Sequence, residues 1–165
     1  MKKREQRPLL DELDRRIVGL LAEDPELTNK ALARRLGLAE STCAYRVRAL
    51  RERGVVEGTT LRLDLAALGH PLQALIKVRL ERHNAEHVNR LYASLVKTPG
   101  VIQVFHVAGA DDFYLHVAVA DAEALRDFVL LHVTVHRVVR QTETHLIFER
   151  REGVGVLPVP DPAAD

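Results

Sequence analysis

Residues 28–53, TNKALARRLGLAESTCAYRVRALRER, followed by Gly54, constrain this chain more than any other stretch, because they encode two short amphipathic helices joined by a glycine turn. Thr28 is placed to cap the first helix through its side-chain oxygen, and Ala31, Leu32 and Leu36 form an inward stripe. Gly37 breaks that helix and Leu38 anchors the turn. A second helix starting near Glu40 puts Cys43, Val47 and Leu50 inward at i, i+4 and i+7. Its other face offers Ser41, Thr42, Tyr45 and Arg48. These are hydroxyls and a guanidinium able to reach base edges and phosphates when a helix lies in a major groove. The pattern reads as a DNA-binding helix-turn-helix.

Charge agrees with this reading. From Lys30 to Arg53, seven basic residues (Lys30, Arg34, Arg35, Arg46, Arg48, Arg51 and Arg53) stand against Glu40 and Glu52, a local charge of +5. Residues 1–63 carry +4 and residues 64–165 carry −3, an asymmetry that the whole-chain charge of +1 conceals. A basic stripe in a near-neutral protein points to local phosphate contact with double-stranded DNA rather than indiscriminate polyanion binding. Arg46, Arg48 and Arg51 compete for base-edge and phosphate roles, with bracing of the fold as the alternative for Arg46. Tyr45 has two options, stacking on sugar or packing beside the first helix.

A chain of 165 residues with 47% hydrophobic content can bury a core, and two small domains suit it better than one. No window approaches the ~20 consecutive apolar residues of a membrane span. The N-terminus, MKKREQRP, lacks the apolar run of a signal peptide. A cytoplasmic location is expected. Cys43, the single cysteine, cannot form an intramolecular disulfide and sits on the inward stripe, where it reads as a small buried hydrophobe.

Leu10, Leu13, Ile17, Leu20 and Leu21 repeat with helical spacing up to Asp24-Pro25, supplying a packing helix ahead of the motif. Residues 1–54 are therefore expected to form a helix-turn-helix DNA-binding domain, with Gly54 as the helix stop and Val55-Val56 re-entering an extended segment. Residues 55–68 read as a linker strand and turn, since Leu61, Leu63 and Leu65 alternate with Arg62 and Asp64 as in a half-buried strand.

Beyond Gly69-His70-Pro71 the periodicity changes. Ala74, Ile76, Val78 and Leu80 alternate with Leu75, Lys77, Arg79 and Glu81 as a strand. Asn84 then caps a helix whose Val88, Leu91, Leu95 and Val96 share a face, and Pro99-Gly100 ends it. Residues 101–107 make a second strand, 108–112 a turn, and Phe113, Leu115, Val117 and Val119 the inward set of a third. Asp121 caps a helix bearing Leu125, Phe128, Val129 and His132, and a last strand covers 139–149. The order β-α-β-β-α-β over residues 69–150 is a ferredoxin-like split βαβ, which makes the whole chain α+β. Both helices cover one face of the sheet. The reverse face keeps Leu75, Tyr114 and Ala118, which a sheet-to-sheet homodimer would cover. Residues 151–165, with three prolines and few apolar anchors, are expected to be a flexible tail.

Five pieces in this order and spacing resemble the Lrp/AsnC family, the feast/famine regulators of bacteria and archaea, over about residues 9–150. They are LDELDRRIVGLL, LARRLGLAESTCAYRVRALRERGVV, LDLAALGHPLQALIKVRL, VFHVAGADDFYLHVAV and RQTETHLIF. The resemblance implies homodimers assembling into octamers or similar rings, wound or bent DNA, and a small-molecule effector, an amino acid, bound between dimers. It also implies effector-binding residues. The family's Gly, short gap and Asp in the hairpin loop match Gly109 and Asp112, and its Thr-x-Thr on the final strand matches Thr142 and Thr144. A glycine lets backbone amides approach a carboxylate, a carboxylate receives an α-ammonium, and threonine hydroxyls complete the hydrogen bonding. The structural alternative is a Gly109 that turns the hairpin and an Asp112 that caps backbone amides. Two positions depart from the family pattern: Asp111 stands where an aromatic is usual, and Arg137-Val138-Val139 where Pro-Gly-Val is usual.

No cofactor and no metal site are expected. His83 and His87, and His132 and His136, are i,i+4 pairs without a clear third ligand, and His106 and His116 read as packing or interface residues. An enzyme is disfavoured, because the chain has no Gly-rich phosphate loop and no recognisable nucleophile with its base. The closer rival is an architectural protein that binds DNA without responding to a ligand.

Overall fold

A computed structural model describes residues 10–81, 85–153 and 155–156. The chain divides into two compact units, the first built on residues up to Leu61 and the second on Arg62–Arg151.

The first unit is a three-helix cluster. Helix α1 (Glu12–Glu23) begins where the Asp11 carboxylate accepts the Asp14 N–H at 2.7 Å, and ends at Asp24. It buries Ile17 completely and lays Leu10, Leu13, Leu20 and Leu21 against the same core. Helix α2 (Asn29–Leu36) is capped as the sequence predicts, Thr28 Oγ1 accepting the Ala31 N–H at 3.2 Å. Gly37 closes it in the left-handed region at φ 67°, which lets the Leu38 N–H turn back to the Ala33 carbonyl at 2.9 Å. Helix α3 (Glu40–Glu52) seals Cys43, Val47 and Leu50, the three positions its spacing predicts, and burial pushes the Cys43 thiol pKa up. On α2 the sealed pair is Leu32 and Ala33, whereas Ala31 and Leu36 are only half-buried. An eight-residue helix clasped between two others buries an arc wider than one stripe.

The linker departs from expectation. No strand forms over 55–68: residues 57–64 carry no regular structure, and Leu61 and Leu63 are 82% and 61% exposed. Alternation alone does not make a strand, and this segment pairs with neither edge of the four-stranded sheet. Residues 65–69 do turn. Asp64 Oδ1 accepts the Ala66 and Ala67 N–H groups at 2.9 and 3.1 Å.

The second unit is the expected βαββαβ. Its elements are β1 (Leu72–Leu80), α4 (Ala85–Leu95), β2 (Val101–His106), β3 (Phe113–Val119), α5 (Ala122–Phe128) and β4 (Val139–Leu146). The sheet order is β2-β3-β1-β4 with every neighbouring pair antiparallel. Ala74, Ile76, Val78 and Leu80 of β1 and Phe113, Leu115, Val117 and Val119 of β3 share one face, where Leu91, Leu95, Leu125, Phe128 and Val133 complete the core. That is the period-2 set read from the sequence. The reverse face carries Gln73, Leu75, Lys77 and Arg79 beside Tyr114, His116 and Ala118. There His116 is buried and bonded to Gln73 Oε1 at 2.9 Å. Burial, and then the Arg150 charge, push its imidazole pKa below the usual 6.5.

Three boundaries differ from the sequence reading. Helix α4 stops at Leu95, leaving Val96 exposed, so Pro99-Gly100 follows a turn rather than ending the helix. Gly100 serves the sheet instead: at φ 88° its carbonyl accepts the Ala118 N–H at 2.8 Å, an approach in which a Cβ would lie 3.1 Å from the Ala118 carbonyl. Helix α5 passes at Val129–Val133 into a π-helical turn, which puts His132 outside the core, its ring 5.3 Å from that of Phe128. Strand β4 ends at Leu146, three residues before Glu149, because its last pairing is Leu146 with Ala74. The Asn84 cap and His83 lie outside the described residues.

Candidate nucleic-acid interface and ligand loop

With Cys43, Val47 and Leu50 turned inward, α3 presents Ser41, Thr42, Tyr45, Arg48 and Arg51 to solvent, Tyr45 with 64% of its surface exposed. Its N-cap is Ala39, which supplies no side-chain acceptor, so the first-turn amides beside Ser41 and Thr42 are not capped by a side chain. A helix start of this kind is a ready partner for phosphate oxygens. Lys30, Arg34 and Arg35 of α2 are also exposed and extend the basic surface beyond α3.

Arg46 is oriented differently. Its Nη1 donates to Asp11 Oδ2 at 2.6 Å and to Asp14 Oδ1 at 2.9 Å, while Arg53 Nη1 donates to Asp14 Oδ2 at 3.0 Å. Asp14 is buried, so one carboxylate in α1 holds α3 at its middle and at its C-terminal cap. The hydrogen bond from Arg46 is the main reason that the Asp11 carboxyl stays below its ordinary 3.8. Reciprocally, the Asp11 bond leads the upward shift of the Arg46 pKa. The geometry gives Arg46 the bracing role. The sequence left bracing open for Arg46 without naming its partners, which are Asp11 at the N-cap of α1 and Asp14 in its first turn.

The second unit gathers the other candidate residues around the end of β1. Asp112 bonds to it at two points: its N–H donates to the Val78 carbonyl at 2.9 Å, and its Oδ2 accepts the Leu80 N–H at 2.7 Å. Asp112 therefore caps a backbone amide, that of Leu80. Gly109 sits at φ 142°, a backbone conformation that L side chains rarely adopt, with open space where a Cβ would stand. Arg79, not singled out from the sequence, clamps the loop by donating from Nε to the Ala110 carbonyl at 2.7 Å and from Nη2 to Asp111 Oδ1 at 3.4 Å. Asp111 thus uses its charge where an aromatic could not. Thr142 and Thr144 pair with Val78 and Ile76 from the other side of β1 and point to the helix-covered face, Thr142 half-buried and Thr144 exposed. The loop and the Thr-x-Thr reach the same stretch of β1 from opposite edges.

Among the described residues no helix is long and apolar enough to cross a membrane, and no group of three or more His, Cys, Asp or Glu side chains is placed to hold a metal ion.

Comparison with known proteins completes the picture. Residues 10–57 match the family model described as winged helix-turn-helix DNA-binding, and residues 73–153 match that of the Lrp/AsnC ligand binding domain. The HTH-type transcriptional regulator AldR of Mycolicibacterium smegmatis is 43% identical over 148 residues, covering 90% of this chain and 86% of that protein. The leucine-responsive regulatory protein of Rhizobium meliloti is 32% identical over 137 residues, covering 83% and 88%. Among solved structures, MtbAldR superposes with a TM-score of 0.76 at 37% identity, over 90% of this chain and 97% of that one. A Neisseria meningitidis transcriptional regulator in complex with L-Met gives 0.82 at 28% identity, over 91% and 97%.

Proposed function

The chain belongs to the Lrp/AsnC family of transcriptional regulators, and on that premise we propose that it binds specific double-stranded DNA sites under the control of a small effector of the amino-acid class. The observation that carries the proposal is the free face of α3, which combines hydroxyls, an aromatic ring and two exposed arginines over a sealed apolar stripe. In this reading residues 1–54 are the DNA-binding domain, 55–68 the linker, and 69–150 the effector-binding and oligomerisation domain. Ser41, Thr42, Tyr45, Arg48 and Arg51 contact DNA, and Arg46 holds α3 in position. Two such helices in a homodimer enter successive major grooves of a pseudo-palindromic site. The reverse sheet face, with Leu75, Tyr114 and the 45% exposed Phe105, suits a dimer contact, and dimers assemble further into an octamer or similar ring.

An amino acid held by Gly109, Asp112, Thr142 and Thr144 would shift assembly or helix spacing by binding two states unequally. The L-Met bound to the Neisseria regulator supports that ligand class. The test is binding to the DNA upstream of the protein's own coding sequence at fixed salt, with each common amino acid added in turn. A selective change with one amino acid is expected. Tight specific binding that no amino acid alters would favour the architectural alternative, and an absence of specific binding would remove the DNA-binding premise.

Arg48→Ala separates two roles. A base-reading Arg48 predicts a loss of about 1–3 kcal/mol that depends on the DNA sequence, whereas a phosphate contact predicts a uniform loss and a shallower salt dependence. Competition binding over a set of operator variants at two salt concentrations distinguishes them. Unchanged affinity and unchanged salt slope would remove Arg48 from the interface.

A further inference from the structure

A cleft of about 540 Å³ opens between α4 and the turn leading into β4. One wall is a single stripe of α4, His87, Arg90, Leu91 and Ser94, spaced at i, i+3, i+4 and i+7. The other is His136, Arg137 and Val138. None of Gly109, Asp112, Thr142 or Thr144 lines it. Leu91, almost fully buried, and the half-buried Val138 give it an apolar floor, and the polar lining contains two arginines, two histidines, one serine and no carboxylate.

We propose that this cleft binds a small organic dianion, a short carbon skeleton whose two negative charges sit either on two carboxylates or on one phosphate monoester. Arg137 is exposed, and among the described residues no carboxylate pairs with it. Its backbone is nevertheless fixed: the Glu81 N–H donates to the Val138 carbonyl at 2.9 Å, and the Val139 N–H donates to the His136 carbonyl at 2.8 Å. A cation on a fixed turn loses less freedom on binding than one on a free loop. The π-helical turn Val129–Val133 just upstream sets the path of this segment, and π turns recur at functional sites. Arg90 bonds Glu86 at 2.6 Å from Nη2, but both side chains are about 70% exposed, so the pair is weak. A guanidinium has five donors, which leaves Arg90 able to receive an anion. Concavity and the apolar floor favour an organic molecule over bare phosphate, and over the backbone of DNA, which needs an open surface rather than a cleft.

The test is calorimetric titration of the full chain at low ionic strength with succinate, glycerol phosphate, butyrate and inorganic phosphate, with melting curves confirming that each variant is folded. Saturable binding of succinate or glycerol phosphate is expected, at least about tenfold tighter than butyrate or inorganic phosphate, consistent with a second charge-assisted contact and apolar burial. Which of the two dianions binds decides between carboxylate and phosphate chemistry. Arg137→Gln and Arg90→Gln should each weaken it about tenfold or more, while Thr142→Val leaves it unchanged. The proposal is overturned if neither dianion saturates, if inorganic phosphate binds as tightly, or if Arg137→Gln binds like the parent. It is also overturned if Arg137→Gln weakens DNA binding with no dianion bound, which would assign the charge to the phosphate backbone. Because the readout is direct binding, failure here leaves the DNA-binding reading untouched, and the reverse holds.

Discussion

Asp14→Ala is expected to destabilise the helical unit by about 2–4 kcal/mol, enough to make it melt well before the sheet unit. Asp14 is the buried carboxylate that accepts from Arg46 at 2.9 Å and from Arg53 at 3.0 Å. Removing it takes the shared acceptor from both guanidinium groups, while Arg46 keeps its bond to Asp11 Oδ2 at 2.6 Å. Each keeps roughly 30% of its side chain in contact with water, so partial rehydration holds the loss below that of a fully buried pair. Asp14→Asn keeps the shape and an acceptor and should cost less. Thermal unfolding followed by helical circular dichroism makes the measurement, and a change under about 0.5 kcal/mol would show that the brace carries little stability. The same network has a pH signature. The Asp11 carboxyl is held below its ordinary 3.8 in the folded chain, chiefly by the Arg46 hydrogen bond. Its contribution is therefore present above pH 3.8 and is lost as pH falls through the lowered value. Arg46→Gln should flatten that acid limb.

Phe113→Ala is expected to cost about 3–5 kcal/mol in the sheet unit, the range for emptying a large aromatic site in a packed core. Phe113 is wholly buried at the start of β3, pairing with Val78 on one side and His106 on the other. Its ring lies 4.8 Å from that of His106 and 6.0 Å from that of Tyr92, so the cavity would open between three elements that cannot all collapse inward. The residue also follows Asp112 directly, and its loss should loosen the Gly109–Asp112 loop. Denaturant unfolding of the sheet unit reads the stability. The melting of the helical unit should not change, and a loss below about 1.5 kcal/mol would mean that neighbouring chains fill the site.

These two positions show why parts of the molecule could be read and others not. Phe113 was legible because a strand has only two faces, and the alternation at Phe113, Leu115, Val117 and Val119 leaves one choice of inward set. Cys43, Val47 and Leu50 were legible for the analogous helical reason. The Arg46–Asp14 brace was not, because residues 32 apart in the chain meet only after three helices have packed. Arg46 and Arg48 are both cations near the middle of one helix, and only the position of α1 turns the first into a brace and leaves the second in solvent. Asp112 presented the same ambiguity, and the bond from the Leu80 N–H gives it a structural task.

Local physics, then, determined the elements: glycines and caps that end helices, the 3.6 and 2 residue periods, the β-α-β-β-α-β order and the basic character of the helix-turn-helix all act over a few residues and need no knowledge of neighbours. Tertiary structure decided everything that depends on a partner distant in the chain. Leu61 and Leu63 alternate like a strand yet remain exposed and pair with no strand of the sheet, and α5 gives way to a π turn. Arg79 clamps a loop 31 residues away, and Arg137 comes to face α4 across a cleft. The physical reason is that burial and hydrogen bonding are properties of pairs of groups, and a sequence names each member of a pair but not the fold that brings them together.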